Sequence, residues 1–169
     1  RNLEECLELL ESEASRQPLQ DQSIYLTLLK LCTYQKAPQQ AKRLYAHLSR
    51  HNLHISPFLG ENLVLSLARC GALPCALRLF GQLPHRTVFS WTAIIASYAE
   101  NGCGIEALEA YECMLRDGVE PNSYTFVSLF RACGDIPDLV HGKRFHKEAR
   151  RRNLLGNIFV ANALISMYG

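Results

Sequence analysis

The sequence repeats itself, and the spacing of the repeat limits the chain to a small group of folds. Residues 22–56 align with residues 123–157 without a gap, and seven positions are identical at a constant offset of 101 residues. Cys32 and Cys133 form one of these pairs, which favours a packing role for the two thiols over redox chemistry. Because one such unit is too short to bury its apolar faces alone, neighbouring units must stack on one another.

Shorter offsets of 31 and 70 residues divide the chain into repeat units of 35 or 31 residues. Leu3, Leu7 and Leu10 share one helix face, so the first segment is predicted to be the second helix of a truncated preceding repeat. The predicted segments are 1–21, then the complete units 22–56, 57–87, 88–122 and 123–157, and the start of a further unit at 158–169.

Each complete unit contains two helical patterns separated by a break. In unit 88–122 the apolar residues recur with a helical period, and Asn101-Gly102 interrupts them before a second pattern begins. The breaks are expected near 35–37, 71–73, 101–104 and 134–137. Since no segment alternates like a strand, we predict an all-α fold, a right-handed α-solenoid of stacked helix-turn-helix repeats.

Composition and motifs exclude several kinds of site. The chain has seven cysteines but no C-x-x-C pair, so we expect reduced, mostly buried thiols rather than a disulfide framework or a zinc ribbon. It contains no Gly-rich phosphate loop, no G-x-S-x-G and no zinc-deaminase signature. We therefore predict that these residues form no enzyme active site and hold no metal or other cofactor.

Charge is unevenly distributed along the chain. Residues 1–21 carry six acidic side chains against two basic ones, and the remainder has a basic surplus. The basic residues on the predicted second helices are expected on a solvated outer face, with at most weak attraction for phosphate. They are Lys42, Arg43, Lys143, Arg144, Lys147 and Arg150–Arg152.

Three motifs inside these units carry a family resemblance. They are SWTAIIASYAENGCGIEALEAYECMLRDGVEPN at 90–122, YTFVSLFRACG with GKRFH within 124–146, and IFVANALISMY at 158–168. Together they resemble pentatricopeptide repeats. The unequal lengths resemble the PLS subclass, in which P, L and S units alternate. Units 22–56 and 123–157 are similar to L units, and unit 88–122 is similar to a P unit. Unit 57–87 and the segment that starts at residue 158 are similar to S units.

The resemblance implies that each unit contacts one nucleotide of single-stranded RNA through its fifth and its last residue. Thr92 with Asn122 resembles an adenine reader, because a hydroxyl and an amide can meet a base edge, and Asn162 resembles a pyrimidine reader. The implied reading pairs are Leu26 with Ser56, Glu61 with Thr87, Thr92 with Asn122, and Val127 with Asn157.

Some of these implied readers have unsuitable chemistry. Leu26 and Val127 carry no polar head and are expected to read little. Glu61 departs from the Asn or Thr of the family pattern and would repel phosphate, which puts unit 57–87 in doubt as a reader.

The second residue of each unit is implied to stack on a base. These residues are Ser23, Phe58, Phe89, Tyr124 and Phe159, so four of the five are aromatic. A base stacked on such a ring is held without sequence preference. The alternative is that the rings seal the seam between adjacent hairpins, and the sequence leaves both interpretations open.

Two functions of different classes follow. The first is an RNA-binding adaptor in a mitochondrion or chloroplast. The process that we expect first is C-to-U editing, with splicing or cleavage as the alternatives. Its expected partners are single-stranded organellar RNA and RNA-processing factors. The second is a tetratricopeptide-like protein-interaction solenoid without an RNA role. No membrane and no small-molecule substrate are expected. The ends of the chain suggest a piece of a longer protein, in which a downstream deaminase domain stays open.

Overall fold

The computed structural model describes residues 3–13, 22–50, 55–136 and 139–169, and within these ranges it contains helices and turns but no strand. The predicted segments 1–21, 22–56 and 123–157 therefore each include residues outside the described ranges. The helices are α1 (Leu3–Glu13), α2 (Gln22–Gln35), α3 (Pro38–Arg50), α4 (Pro57–Arg69), α5 (Leu73–Gln82), α6 (Val88–Glu100), α7 (Gly104–Arg116), α8 (Ser123–Asp135), α9 (Leu139–Arg151) and α10 (Ile158–Tyr168).

Five helices start at the first residue of a predicted segment, namely α2, α4, α6, α8 and α10. Four of them have a capping residue immediately before the start, and the side chain of that residue accepts a hydrogen bond from a backbone N–H of the first turn. Such caps satisfy donors that the helix itself cannot pair, and so they fix where the helix begins. The caps are Ser56, Thr87, Asn122 and Asn157.

The breaks between paired helices also fall where the sequence predicts them, although Pro137 in the last one lies outside the described residues. Gly71 and Gly102 have φ angles of 81° and 71°, in the left-handed region that glycine adopts without a steric penalty. Lys36 occupies the equivalent place in the first break with a φ of 48°. The break thus forms there although the sequence offers no glycine.

Residues 1–85 form one compact unit built from α1 to α5. The first helices α2 and α4 pack on each other and on the second helices α3 and α5, while α1 packs on α3 and α2. The face of α1 that carries Leu3, Leu7 and Leu10 is buried. This face therefore contributes to the core of the unit.

Residues 86–169 form a second compact unit in which α8 is central. It packs on α6, α7, α9 and α10. Its core is aromatic: the ring of Tyr111 meets the ring of Phe145 edge-on at 5.3 Å and lies 6.4 Å from the ring of Phe126. All three side chains are buried, so hydrophobic burial supplies most of the stabilisation between these hairpins.

The cysteines differ in part from the prediction. All seven lie in the described ranges as free thiols, but only Cys32, Cys70 and Cys133 are buried and the other four are half-buried. The prediction of mostly buried thiols was therefore wrong, because the other four lie near helix ends or on partly open faces. Burial raises the pKa of the Cys32 thiol to about 11, so it stays protonated near neutral pH.

Candidate nucleic-acid interface

The N-terminal ends of α6 and α8 lie close together in the unit 86–169, because a side chain from the second turn of α6 reaches the first turn of α8. The last residue of each predicted repeat caps the helix that follows it. Thr87 and Asn122 each form a capping box with the residue three positions later. Residues that the family resemblance assigns to base reading therefore also have a structural role.

Four aromatic side chains lie in the first turn of their helices and are mostly exposed. Phe58 is 65% exposed, Phe89 68%, Tyr124 67% and Phe159 64%. A ring that sealed the seam between hairpins would be buried, as Phe126 and Phe145 are. The exposure of these rings contradicts the sealing role and leaves flat apolar surfaces open to a planar ligand.

The fifth residues lie one helical turn after these rings. Leu26, Glu61, Thr92 and Val127 are half-buried, and Asn162 is exposed. Leu26 and Glu61 belong to the compact unit 1–85. Thr92, Val127 and Asn162 belong to the unit 86–169.

Thr92 and Asn122 are linked through a third residue that sequence reasoning missed. The hydroxyl of Thr92 lies 2.8 Å from the hydroxyl of Thr125, and the Thr125 hydroxyl lies 3.2 Å from the Asn122 side-chain oxygen. The backbone N–H of Thr125 donates to that same oxygen at 3.1 Å. The structure therefore brings the two predicted readers to one place, and a Thr at the third helical position after an Asn cap was the available signal.

The next repeat lacks this connection. Asn157 accepts hydrogen bonds from the backbone N–H groups of Phe159 and Val160, at 3.0 Å and 3.3 Å. The residues that correspond to Thr92 and Thr125 are Val127 and Val160, neither of which carries a hydroxyl. Of the three matching positions, Asn157 alone carries a polar side chain.

The last residue of unit 22–56 is engaged with the start of its own unit. The hydroxyl of Ser56 donates to the side-chain oxygen of Gln22 at 2.5 Å and accepts from the backbone N–H of Leu59 at 3.3 Å. Its partner Leu26 is apolar. The Ser56 hydroxyl thus already has two hydrogen-bond partners within the protein.

The basic side chains predicted on a solvated outer face are exposed or half-buried, and several of them form ion pairs. Arg43 contacts Glu4 and forms a 2.8 Å contact with Glu11. Arg144, which is 101 residues after Arg43, lies 2.8 Å from Glu112, which is 101 residues after Glu11. The ion pair between second helices is thus repeated with the sequence.

A further carboxylate cluster lies at the end of α9. Burial raises the pKa of the Glu148 carboxyl, but hydrogen bonds from Arg152 and Arg151 outweigh it and leave the pKa below its ordinary value. Arg152 also contacts Glu120 at 2.5 Å. This network pairs both arginines with carboxylates, although the Arg151 side chain stays exposed and only Arg152 is largely covered.

The described ranges hold no cluster of three metal-ligating side chains. Nor does a helix in these ranges have the length and apolarity needed to cross a bilayer.

Comparison with known families gives this interface a context. The sequence model of the PPR repeat family matches residues 86–135, which contain α6, α7, α8 and the Thr92–Thr125–Asn122 link. This part of the chain is therefore similar to pentatricopeptide repeats.

Relatives with these repeats align along nearly the whole chain. A chloroplastic pentatricopeptide repeat-containing protein of Arabidopsis thaliana is 34% identical over 167 residues, which is 98% of this chain and 19% of the relative. A second chloroplastic one is 32% identical over 98% of this chain and 27% of the relative. The chloroplastic protein CRR2 of the same plant is 36% identical over 88% of this chain and 24% of its own length. The chain thus spans about a fifth to a quarter of these relatives.

A solved structure shows the same fold. The crystal structure of the pentatricopeptide repeat protein PPR10 from maize superposes with a TM-score of 0.68 over 99% of this chain and 24% of its own length, at 19% identity. At this identity the likeness concerns the fold alone. It confirms the predicted fold class, an all-α helical-repeat solenoid.

Proposed function

We propose that this chain binds single-stranded RNA in a mitochondrion or chloroplast and acts as an adaptor in RNA processing. The observation that carries the proposal is the series of exposed rings at the second position of consecutive repeats. Stacking of a base on one such ring contributes roughly 1–3 kcal/mol and tolerates any base. Three of the rings, Phe89, Tyr124 and Phe159, lie on α6, α8 and α10, which pack side by side.

The relatives support the organelle. Those described above carry chloroplastic in their names, and another pentatricopeptide repeat-containing protein, 28% identical over 85% of this chain, is named mitochondrial. We extend this location to the present protein without choosing between the two organelles.

Within this proposal we assign the finer features as well. The repeats alternate as in the PLS subclass, and the process that we favour is C-to-U editing, with splicing or cleavage as the alternatives. We place the chemistry outside these residues, in a downstream domain or in a recruited processing factor. The base readers are then Thr92 with Asn122 for adenine and Asn162 for a pyrimidine. The pairs Val127 with Asn157, Leu26 with Ser56, and Glu61 with Thr87 contribute less.

The test is a binding series with the full-length protein and a randomised single-stranded RNA pool. Replacing Phe89, Tyr124 and Phe159 together by Ala should weaken binding to every RNA by at least about a hundredfold, because three stacking surfaces disappear. The matched control replaces Tyr34, an exposed ring at the end of α2 outside the second-position series, and should change affinity less than about twofold.

Two outcomes would overturn the proposal. Equal loss in the control would show a nonspecific effect of removing surface rings. Absence of RNA binding by the unaltered protein, together with tight binding of an extended peptide on the same rings, would support the protein-interaction alternative.

A further inference from the structure

Thr125 is a buried polar side chain that lies between two residues of the candidate interface. It is fully buried at the third position of unit 123–157, so its hydroxyl cannot itself meet a base. It lies between a hydroxyl and an amide that can, namely those of Thr92 and Asn122. The family resemblance assigns it no role.

The contacts of the Thr125 hydroxyl restrict the direction of its proton. Its oxygen accepts from the backbone N–H of Asn122 at 3.2 Å, and the Asn122 side-chain oxygen, also at 3.2 Å, can only accept from it. The third neighbour is the Thr92 hydroxyl at 2.8 Å, which can donate or accept. Since Thr125 has a single proton, all three contacts are hydrogen bonds only if Thr92 donates to Thr125.

This arrangement decides what the two readers present. Thr92 has its proton directed at Thr125 and is left with an oxygen lone pair, so it acts as an acceptor. Asn122 has its side-chain oxygen occupied by the hydroxyl and the backbone N–H of Thr125, so its amide NH₂ acts as a donor. The pair therefore has a fixed polarity, with an acceptor on α6 and a donor at the start of α8.

We propose that Thr125 is a positioning residue that sets this polarity and thereby decides which class of base the Thr92–Asn122 pair accepts. The inference rests on the proposed RNA-binding function. Adenine and cytosine present an amino donor beside a ring-nitrogen acceptor, whereas guanine and uracil present the reverse order. A fixed polarity matches one of these two classes and opposes the other.

The neighbouring repeats support a specific role for Thr125. In unit 88–122 the third residue is Ser90, whose hydroxyl donates to its own cap through the backbone oxygen of Thr87 at 3.1 Å. In the segment that starts at residue 158 the third residue is Val160, which has no hydroxyl. A third-position hydroxyl is therefore not required for a capped first helix, since α10 is capped by Asn157 without one.

The experiment compares Thr125→Val, which removes the hydroxyl and keeps the shape, with Thr125→Ser, which keeps the hydroxyl. The full-length protein is first used with a randomised single-stranded RNA pool to find its preferred sequence. The nucleotide read by this repeat is the one whose preference changes in Asn122→Asp. Four oligonucleotides that differ only at this nucleotide then give a Kd for each base. Ser128→Ala is the matched control, because that hydroxyl on the same helix bonds only to the local backbone oxygen of Tyr124 at 3.0 Å.

The expected result is a change in the ratio of affinities. In Thr125→Val the freed Thr92 hydroxyl can donate to a base as well as accept from it. The ratio of affinities between the adenine–cytosine class and the guanine–uracil class should therefore fall from about tenfold to about twofold. Thr125→Ser and Ser128→Ala should retain the full discrimination. A merely structural role of Thr125 would instead weaken binding to all four oligonucleotides equally.

Each other outcome counts against the inference. If Thr125→Val discriminates as the unaltered protein does, or if Thr125→Ser loses discrimination while folded, the inference is overturned and the RNA-binding proposal stands. If the unaltered protein binds RNA but treats all four bases alike, base reading by this repeat and the inference fail together. If Thr125→Val does not fold, Thr125→Ala takes its place with the same two outcomes.

Discussion

Two consecutive repeats, 88–122 and 123–157, share one framework and differ in their polar side chains. Each starts with a capped helix, places an exposed ring in its first turn and ends in an Asn that caps the next helix. The first repeat links its fifth and last residues through the hydroxyl of Thr125, whereas the second has Val127 and Val160 at the matching places. The comparison separates what builds a repeat from what would give it a base preference.

The largest expected effect is the loss of stability when a buried apolar residue of the shared framework is replaced. Ile94 and Leu129 lie 35 residues apart at the same place in the two repeats, and both are buried. Replacing either by Asp buries an unpaired charge, so each change should destabilise the fold by about 4 kcal/mol or more. Thermal unfolding followed by circular dichroism measures this, with Phe89→Ser at an exposed position as the control. An unaltered melting curve for either Asp variant would contradict the helix assignment.

The next largest effect is a change of base preference when Thr92 and Asn122 are replaced. Thr92→Asn together with Asn122→Asp should shift the preference at one nucleotide from adenine to uridine by about ten- to a hundredfold. An Asp at 122 keeps one oxygen for the cap but offers a base an acceptor in place of the amide donor. The four-oligonucleotide assay measures the shift. Lys147→Gln on α9 is the control and should weaken all RNAs alike or have no effect. Equal affinities for the four bases in the unaltered protein would remove the reading role of this repeat.

Transfer of the link to the second repeat should have a smaller effect. Val127→Thr with Val160→Thr restores both missing hydroxyls, and we expect about fivefold discrimination at the next nucleotide, where the unaltered repeat shows little. Val127→Thr alone is the control, because its hydroxyl then has no partner to fix its proton. If the single and the double variant behave alike, the link has no effect on base preference.

The smallest effect concerns the ion pairs of Glu148 at the end of α9. The pKa of Glu148 is lowered in the folded chain, so its stabilisation is present above the ordinary value of 4.5 and is lost as the pH falls through the folded pKa. Glu148→Gln should therefore lower stability by at most about 1 kcal/mol near neutral pH. The difference in Tm from the unaltered protein should shrink as the pH falls below 4.5 and vanish once the native carboxyl is protonated. A difference that persists in acid would contradict the ion-pair contribution.

Much of the fold could be predicted from the sequence. The helix starts, the repeat spacing and the aromatic second residues are all local features, because each repeat packs mainly on its nearest neighbours and its period is visible in the residues. The break at Lys36 is the exception among the local features. There Lys36 has a left-handed backbone that lysine does not favour.

The candidate site was predictable only in part. The positions of the rings and of the capping residues follow from the repeat, but whether the rings are buried or exposed depends on how the first helices pack. The contact between Thr92 and Thr125 joins residues 33 apart, and that between Arg43 and Glu11 joins residues 32 apart.

The sequence by itself determined the repeat, its helices and the residue types at the reading positions. Only the tertiary structure decided which hydroxyls meet, which arginines are paired with carboxylates and which rings remain open to a ligand. The reason is physical: helix periodicity fixes the face on which a side chain lies, but the partner across that face is set by the crossing of two packed helices.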